Sequence, residues 1–437
     1  MTVDTVGTVD TVVVGAGHAG LAVSRLLTQA GREHVVLDRG RVGERWRTAR
    51  WDSLRLLTPT WMTRLPGGWR AAGDADAFPT SAGFVHELEQ YAASFQAPVV
   101  TGTTVVRLTR TPDGTLELDT DRGTWRARSV VVASGPHGVP CVPAAVARAE
   151  LPVLTSDRYR SPDRLERGGV LVVGASASGA QIADELARSG RDVVLATGRH
   201  TRMPRRYRGL DIFWWLEATG RLARTIDEMP DPDAARRETS LQLVGRTGED
   251  PAASDVDLAA LQHRGVRLTG RLESLHGSTA RFGDDLAALT RDADRRMHAL
   301  LDSVDRYVDS AGLASEVMPP VRPAPVATPT PATQLDLAAE GIGTVVLATG
   351  FRPDNDWVDL PVKNADGSFR QTRGVTDVPG VYVVGQRFQH RRDSGFIDGA
   401  RHDARAVVEH LTAATEPIPT QRQRADREEC SCATTTS

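Results

Sequence analysis

The chain has 437 residues, a formal net charge of −3 and a pI near 6.4. That length predicts two or three domains with sizeable cores, and the near balance of charge argues against nucleic acid or acidic membrane as a partner, leaving small molecules. No apolar run reaches the ~20 residues that span a bilayer, and the opening MTVDTVGTVD lacks a signal-peptide layout, so a cytoplasmic protein is expected. Three irregularly spaced cysteines, Cys141, Cys430 and Cys432, argue against a disulfide framework or a metal site. Lys363 is the only lysine, so phosphate binding falls to backbone N–H groups and arginines.

Residues 11–38 (TVVVGAGHAGLAVSRLLTQAGREHVVLD) read as strand, Gly-rich turn, helix, strand and terminal acid. Gly15 makes the tight turn, Gly17 lets backbone approach a pyrophosphate and Gly20 permits helix-on-strand packing, while Asp38 is placed to accept hydrogen bonds from a ribose. Phosphates bind unpaired N–H groups at such a helix start. Residues 46–69 hold Trp46, Trp51, Trp61 and Trp69, either walls for a flat ring system or cover for the sheet. A helix is predicted over 81–93 with Phe84, Leu88 and Tyr91 on one face, then strands over 103–110, 116–120 and 126–133 separated by turns.

Prolines at 136, 140, 143 and 152 mark a boundary, beyond which residues 169–196 repeat the opening design. Gly174 and Gly179 recur, but Ser176 stands at the middle position, its hydroxyl able to donate to a phosphate oxygen. Counting 23 residues from the first glycine gives Asp38 in the first unit and Thr197 in the second, where arginines follow instead of an acid. Arg199 and Arg202 are the expected contacts for a 2′-phosphate, so the second site is predicted to take NADPH in preference to NADH. Residues 210–216 (LDIFWWL) are pocket lining or core, residues 285–313 one long amphipathic helix, and 318–333 a proline-rich linker. Strands at 344–350 and 380–385, a helix at 400–411 and a disordered tail from about 415 complete the chain.

An acid-tailed unit followed by an arginine-tailed one suits a flavin first and a nicotinamide second. The chain resembles the flavin-containing monooxygenase superfamily, and within it a bacterial branch similar to the plant YUCCA enzymes. The resemblance rests on GAGHAG (15–20), WDSLRLLTPTWMTRLPG (51–67), FPTSAGFVHELEQYA (78–92), ASGPHGVP (133–140), residues 159–186 and ATGFRPD (348–354). It implies an α/β fold of two Rossmann-like, doubly wound, three-layer dinucleotide-binding domains, the NADPH domain inserted in the FAD domain. The divisions expected are 1–150 and 344–414 for FAD, 151–343 for NADPH, and a tail over 415–437. It further implies FAD contacts from Gly15, Gly17, Gly20, Asp38, Arg45, Trp46, Gly385 and Gln386, and NADPH contacts from Gly174, Ser176, Ser178 and Gly179. Two departures stand out: Thr155 and Ser156 where the family has His-Ser, and Leu57 where it often has a polar side chain facing the flavin. No catalytic residue is assigned. The implied reaction is oxygenation of a small organic substrate by O₂ through a C4a-(hydro)peroxyflavin, a homodimer being compatible with it. A flavin reductase and a non-catalytic redox regulator stay open as alternatives.

Overall fold

The computed structural model describes residues 5–239 and 256–414. The expected tail and its two cysteines therefore lie outside the described residues. The opening apolar run forms the strand Thr5–Val14, flanked in parallel by His34–Leu37 on one side and Gly123–Val132 on the other. Val99–Val100 and Val381–Val383 extend this parallel sheet at its two ends. The hairpin strands Val105–Arg110 and Leu116–Thr120 attach through the first half of Gly123–Val132. Side chains along the central strand alternate between faces: Val13 packs with Val36 and Val131, whereas Val12 and Val14 pack with Val35, Leu37, Val130 and Val132. Two cores on opposite faces make a three-layer unit, each fully buried valine contributing about 1.5–3 kcal/mol.

The second sheet is wholly parallel, in the order Val153–Thr155, Ile342–Leu347, Gly169–Val173, Val193–Ala196, Arg267–Thr269. Its faces alternate likewise, Val170 and Val172 on one side, Leu171 and Val173 on the other. Strand Ile342–Leu347 pairs here with Gly169–Val173, so the chain returns to the first sheet after Leu347, and not at 344 as the sequence suggested. The reason is register: Val173 aligns with Leu347, which leaves Ala348–Gly350 to cross. There Phe351–Arg352 runs antiparallel to Val139–Pro140, so both crossings form one short ribbon.

The helices Ser81–Ala93 and Leu286–Ser310 follow their predicted spans closely, with Phe84, Leu88 and Tyr91 buried on the first and Met297, Leu300, Val304 and Val308 on the second. Residues 318–333 carry no regular element. The final helix Ala400–Ala414 packs on the helix His18–Gln29. Among the described residues no helix is long and apolar enough to cross a membrane.

Asp403 is buried in the first turn of that final helix, and desolvation, opposed by a hydrogen bond from Ser394, pushes its pKa up to about 7. Its unfolded value is about 4. The unfolded chain therefore gives up this proton first, so the cost to stability is absent below about pH 4, grows as pH rises and is complete above about pH 7. In urea denaturation from pH 4 to 8, Asp403→Asn is expected to remove this decline and to be more stable than the parent at pH 8.

Candidate functional site

The first turn is built by close approach. Gly15 has φ +113° and its N–H donates to Leu37 O at 2.8 Å, which ties the turn to the neighbouring strand. A Cβ at Gly20 would stand 1.9 Å from Gly15 O, so only glycine allows this helix to sit on this strand. Gly17 differs: it caps the helix in extended conformation, and a Cβ there would meet nothing within 4 Å. Its surroundings are open cleft. Asp38 accepts from Ala16 N–H at 2.6 Å and from Gly40 N–H at 2.8 Å, so the expected ribose acceptor also holds the glycine turn against the second strand. Each of its oxygens keeps a second acceptor site.

The second turn repeats this geometry. Gly174 has φ +103°, its N–H donates to Ala196 O at 2.9 Å, and a Cβ at Gly179 would stand 1.7 Å from Gly174 O. Ser176 caps the helix Ala177–Arg188 with nearly the backbone angles of Gly17, and its hydroxyl makes no capping hydrogen bond. Thr197, structurally equivalent to Asp38, is fully buried. Arg199 follows as an exposed side chain on the cleft. Beside it stands Arg296 of the long helix, its pKa lowered by burial and then by the charge of Arg199. Arg202 is the correction: it is 2 % exposed and bonded to Asp257 and Asp294, at 2.7 and 2.6 Å, and to Ala324 O. Two carboxylates hold it inside the protein, where it braces the long helix and does not reach the cleft. Arg296, which pairs with Asp292 and donates to His200 O at 2.7 Å, lines the cleft near Arg199 where Arg202 does not, and nothing in the helical periodicity around it marked it out.

Both turns open on one cleft of about 2490 Å³, lined by Gly15, Gly17 and Asp38 at one end of the chain and by Gly174, Ser176 and Ser178 from the second unit. Arg45, Trp46, Gly385 and Gln386 line it too. Gly385, at φ +72°, lies where a Cβ would come within 2.9 Å of Ala19 at the start of the first helix. Of the four clustered tryptophans, Trp46 and Trp51 wall the cleft, while Trp69 packs on Tyr91 and Trp61 lies under Arg64.

Several buried polar atoms at this junction have no partner within the protein: His18 Nε2, Arg45 Nε and Nη2, and Gln386 Nε2. Buried polar atoms are rarely left unpaired, and these four belong to residues that line the cleft, while others such as Thr11 Oγ1, Trp69 Nε1 and Ser129 Oγ lie away from it. Desolvation lowers Arg45, helped by the charge of Arg39, and brings Arg50 down to about 10. Burial holds His18 at about 4, and burial with Arg50 and Arg45 nearby holds His137 at about 3, so both imidazoles are neutral at physiological pH. His18, Arg50 and His137 were not singled out from the sequence; His18 lies inside the glycine turn, which was the available signal. Such a junction suits a ligand that brings negative charge and acceptor atoms.

Fold and site together define an oxidoreductase with two dinucleotide-type units facing one cleft. A family model described as pyridine nucleotide-disulphide oxidoreductase matches residues 12–209. A protein named uncharacterized oxidoreductase CzcO-like, from Geobacillus kaustophilus, is 30% identical over 408 residues, covering 92% of this chain and 98% of that one. Indole-3-pyruvate monooxygenase YUCCA8 of rice is 28% identical over 303 residues, covering 62% of this chain and 72% of its own. The flavin-containing monooxygenase of Stenotrophomonas maltophilia superposes with a TM-score of 0.64 at 19% identity, covering 93% of this chain and 99% of that one. The chain belongs to the flavin-containing monooxygenase superfamily, with the CzcO-like oxidoreductases and a relationship to the YUCCA enzymes.

The two glycines of the first turn give opposite expectations. Gly20→Ala should lose at least about 3 kcal/mol in urea denaturation, since backbone must move to admit the methyl group. Gly17→Ala, at an extended backbone position with free space, should stay within about 0.5 kcal/mol of the parent.

Proposed function

We propose that the protein is an NADPH-dependent flavin monooxygenase, with FAD on the first glycine turn and NADPH on the second, acting with O₂ on a nitrogen, sulfur or carbonyl centre of a small organic substrate. The observation that carries this reading is the contrast between two otherwise matching turns. One ends in the carboxylate of Asp38, and the other in Thr197 followed by Arg199, with Arg296 beside it. A carboxylate suits two ribose hydroxyls and repels a 2′-phosphate, whereas paired arginines attract one. The residues fit the cofactors: Gly17 leaves a cradle free of side chains, and the unpartnered atoms of His18, Arg45 and Gln386 supply donors at the junction.

When bound, the flavin accepts a hydride from the nicotinamide and reduces O₂, and that reactivity is the cofactors' own. The chain's part is binding and exclusion. N–H groups at the starts of the helices His18–Gln29 and Ala177–Arg188 hold pyrophosphate, and the Ser176 and Ser178 hydroxyls add donors in the second turn. Arg45 and Arg50 offset negative charge near the junction of the units. His18 and His137, neutral at physiological pH, hydrogen-bond there without giving up a proton. Trp46, Trp51 and Leu57 narrow the access of water.

The purified protein should be yellow and should take up O₂ in proportion to NADPH. With ¹⁸O₂, label should enter a product in a screen of amines, sulfides, ketones and 2-oxo acids. NADPH oxidation that passes electrons to a disulfide or dye and labels no product would instead identify a reductase. Arg199→Ala and Arg296→Ala should each lower kcat/KM for NADPH about 10–100-fold and leave NADH within about twofold. An unchanged ratio of the two nucleotides in both variants would remove the assignment of the second turn.

A further inference from the structure

Residues 48–51 and 54–58 of the first unit line the cleft as one stretch of loop. The second unit holds this loop by its main chain. Arg160 donates to the carbonyls of Thr48 and Arg50, the latter at 2.9 Å, and its own carbonyl accepts from Asp52 N–H at 2.9 Å. Gln181 pairs with both backbone groups of Arg55, and Arg205 Nη1 donates to Leu57 O at 2.6 Å. At Leu57 the wall turns apolar: its side chain packs on the core cluster that holds Met203, Leu216 and Leu300, three residues that also line the cleft.

Arg205 is the anchor at that end. It is 2 % exposed, and its guanidinium carbon lies 4.2 Å from the ring centroid of Phe78 and 5.4 Å from that of Phe213. Phe78 belongs to the first unit and Phe213 to the second, so the cation is packed against rings from both. Its Nε donates to Asp211 Oδ2 at 2.7 Å, Nη2 reaches the same oxygen, and Nη1 is turned to Leu57 O. Asp211 is fixed in turn, its Oδ1 accepting Phe213 N–H at 2.8 Å as the cap of the helix Ile212–Ala218. Rings, carboxylate and helix cap thus set one planar fork, and a fork so held fixes the direction of its remaining nitrogen. A hydrogen bond from an ionised donor is roughly twice as strong as one between neutral groups, which suits this contact to holding a loop.

The geometry points to Arg205 as a positioning residue: it holds Leu57 across the boundary of the two units and so keeps water out of the cleft where they meet. The inference rests on the oxygenase reading above and adds the residue that protects its reducing equivalents. Where water reaches the junction, NADPH and one proton pass two electrons to O₂ and leave NADP⁺ and H₂O₂, with no oxygen transferred to a substrate. Arg205 itself does not line the cleft. Loss of its tie to Leu57 is therefore expected to open a leak to peroxide and to leave nucleotide binding as it was.

The test compares two variants of the flavin-loaded protein. Asp211→Asn keeps an oxygen to cap the helix, and adding Arg205→Met then removes the guanidinium without leaving a carboxylate buried alone. With NADPH and O₂ as the only reactants supplied, the double variant should form H₂O₂ at least about tenfold faster than Asp211→Asn, while KM for NADPH stays within about twofold. Backbone amide exchange, followed by mass spectrometry on the same proteins without NADPH, should quicken over residues 54–58 and stay unchanged over 11–20. A merely structural role would quicken exchange in both segments and lower the FAD content, and that outcome overturns the proposal. So does an unchanged peroxide rate, or a rise in KM as large as the rise in peroxide, which would put Arg205 in nucleotide binding. A faster leak with local loosening, in a protein that transfers no ¹⁸O to any product, would sink the oxygenase reading alone. Transfer of ¹⁸O by the parent, with no added leak in the double variant, would sink this inference alone.

Discussion

The first helix of each unit lies so close to its strand that the residue in contact has no room for a side chain. At Gly20 and Gly179 an added methyl group would overlap the carbonyl oxygen of the glycine that opens the turn. Everything nearby depends on this approach. It aims the helix start at the cleft, sets Gly17 and Ser176 at its mouth in matching extended conformations, and leaves the first N–H groups of each helix unpaired by the helix itself. Two such turns face one another because both sheets end there, the strands Thr5–Val14 and Gly169–Val173 each delivering the chain to the same cavity.

Those features were legible in the sequence because they are local. A run of valines, three spaced glycines and an apolar stripe each describe a few residues in contact with their own neighbours, and both turns were found that way. The four-residue strand ending at Ala196 made Thr197 comparable with Asp38 by simple counting, and the backbone hydrogen bonds Gly15–Leu37 and Gly174–Ala196 give that comparison its structural basis. The side chains that complete the site were harder to read. Arg202 and Arg296 look alike as exposed basic residues on paper. The difference lies in Asp257 and Asp294, each more than 50 positions away from Arg202, which draw it inward. The domain division was drawn four residues early, at 344, because the apolar run at 344–347 could serve either sheet, and only its register against Gly169–Val173 decides.

Charge in this protein is nearly balanced overall and uneven within the cleft. Arginines concentrate along it, and many of the acids around them are engaged by other arginines. Among the polar atoms left without partners, those of His18, Arg45 and Gln386 lie at the junction of the units. An arrangement of this kind is costly in an isolated chain, because buried donors lose water without a replacement. It becomes favourable when a ligand supplies acceptors and negative charge, so occupancy and stability are coupled through the same atoms.

Gln181, on the helix of the second unit, faces the loop of the first through a single side chain. Its amide oxygen accepts from the N–H of Arg55 at 3.1 Å and its amide nitrogen donates to the carbonyl of Arg55 at 3.0 Å. One glutamine thus behaves toward the loop as a peptide group of a neighbouring strand would. It grips main chain only, so residue 55 can change identity without loosening the clasp, whereas position 181 has little latitude. Glutamate there would oppose an oxygen to the carbonyl, and leucine would leave both backbone groups bare. The alignment of the two halves is thereby held at position 181 as well as by Arg160 and Arg205, which donate to the carbonyls of Arg50 and Leu57 in the same loop.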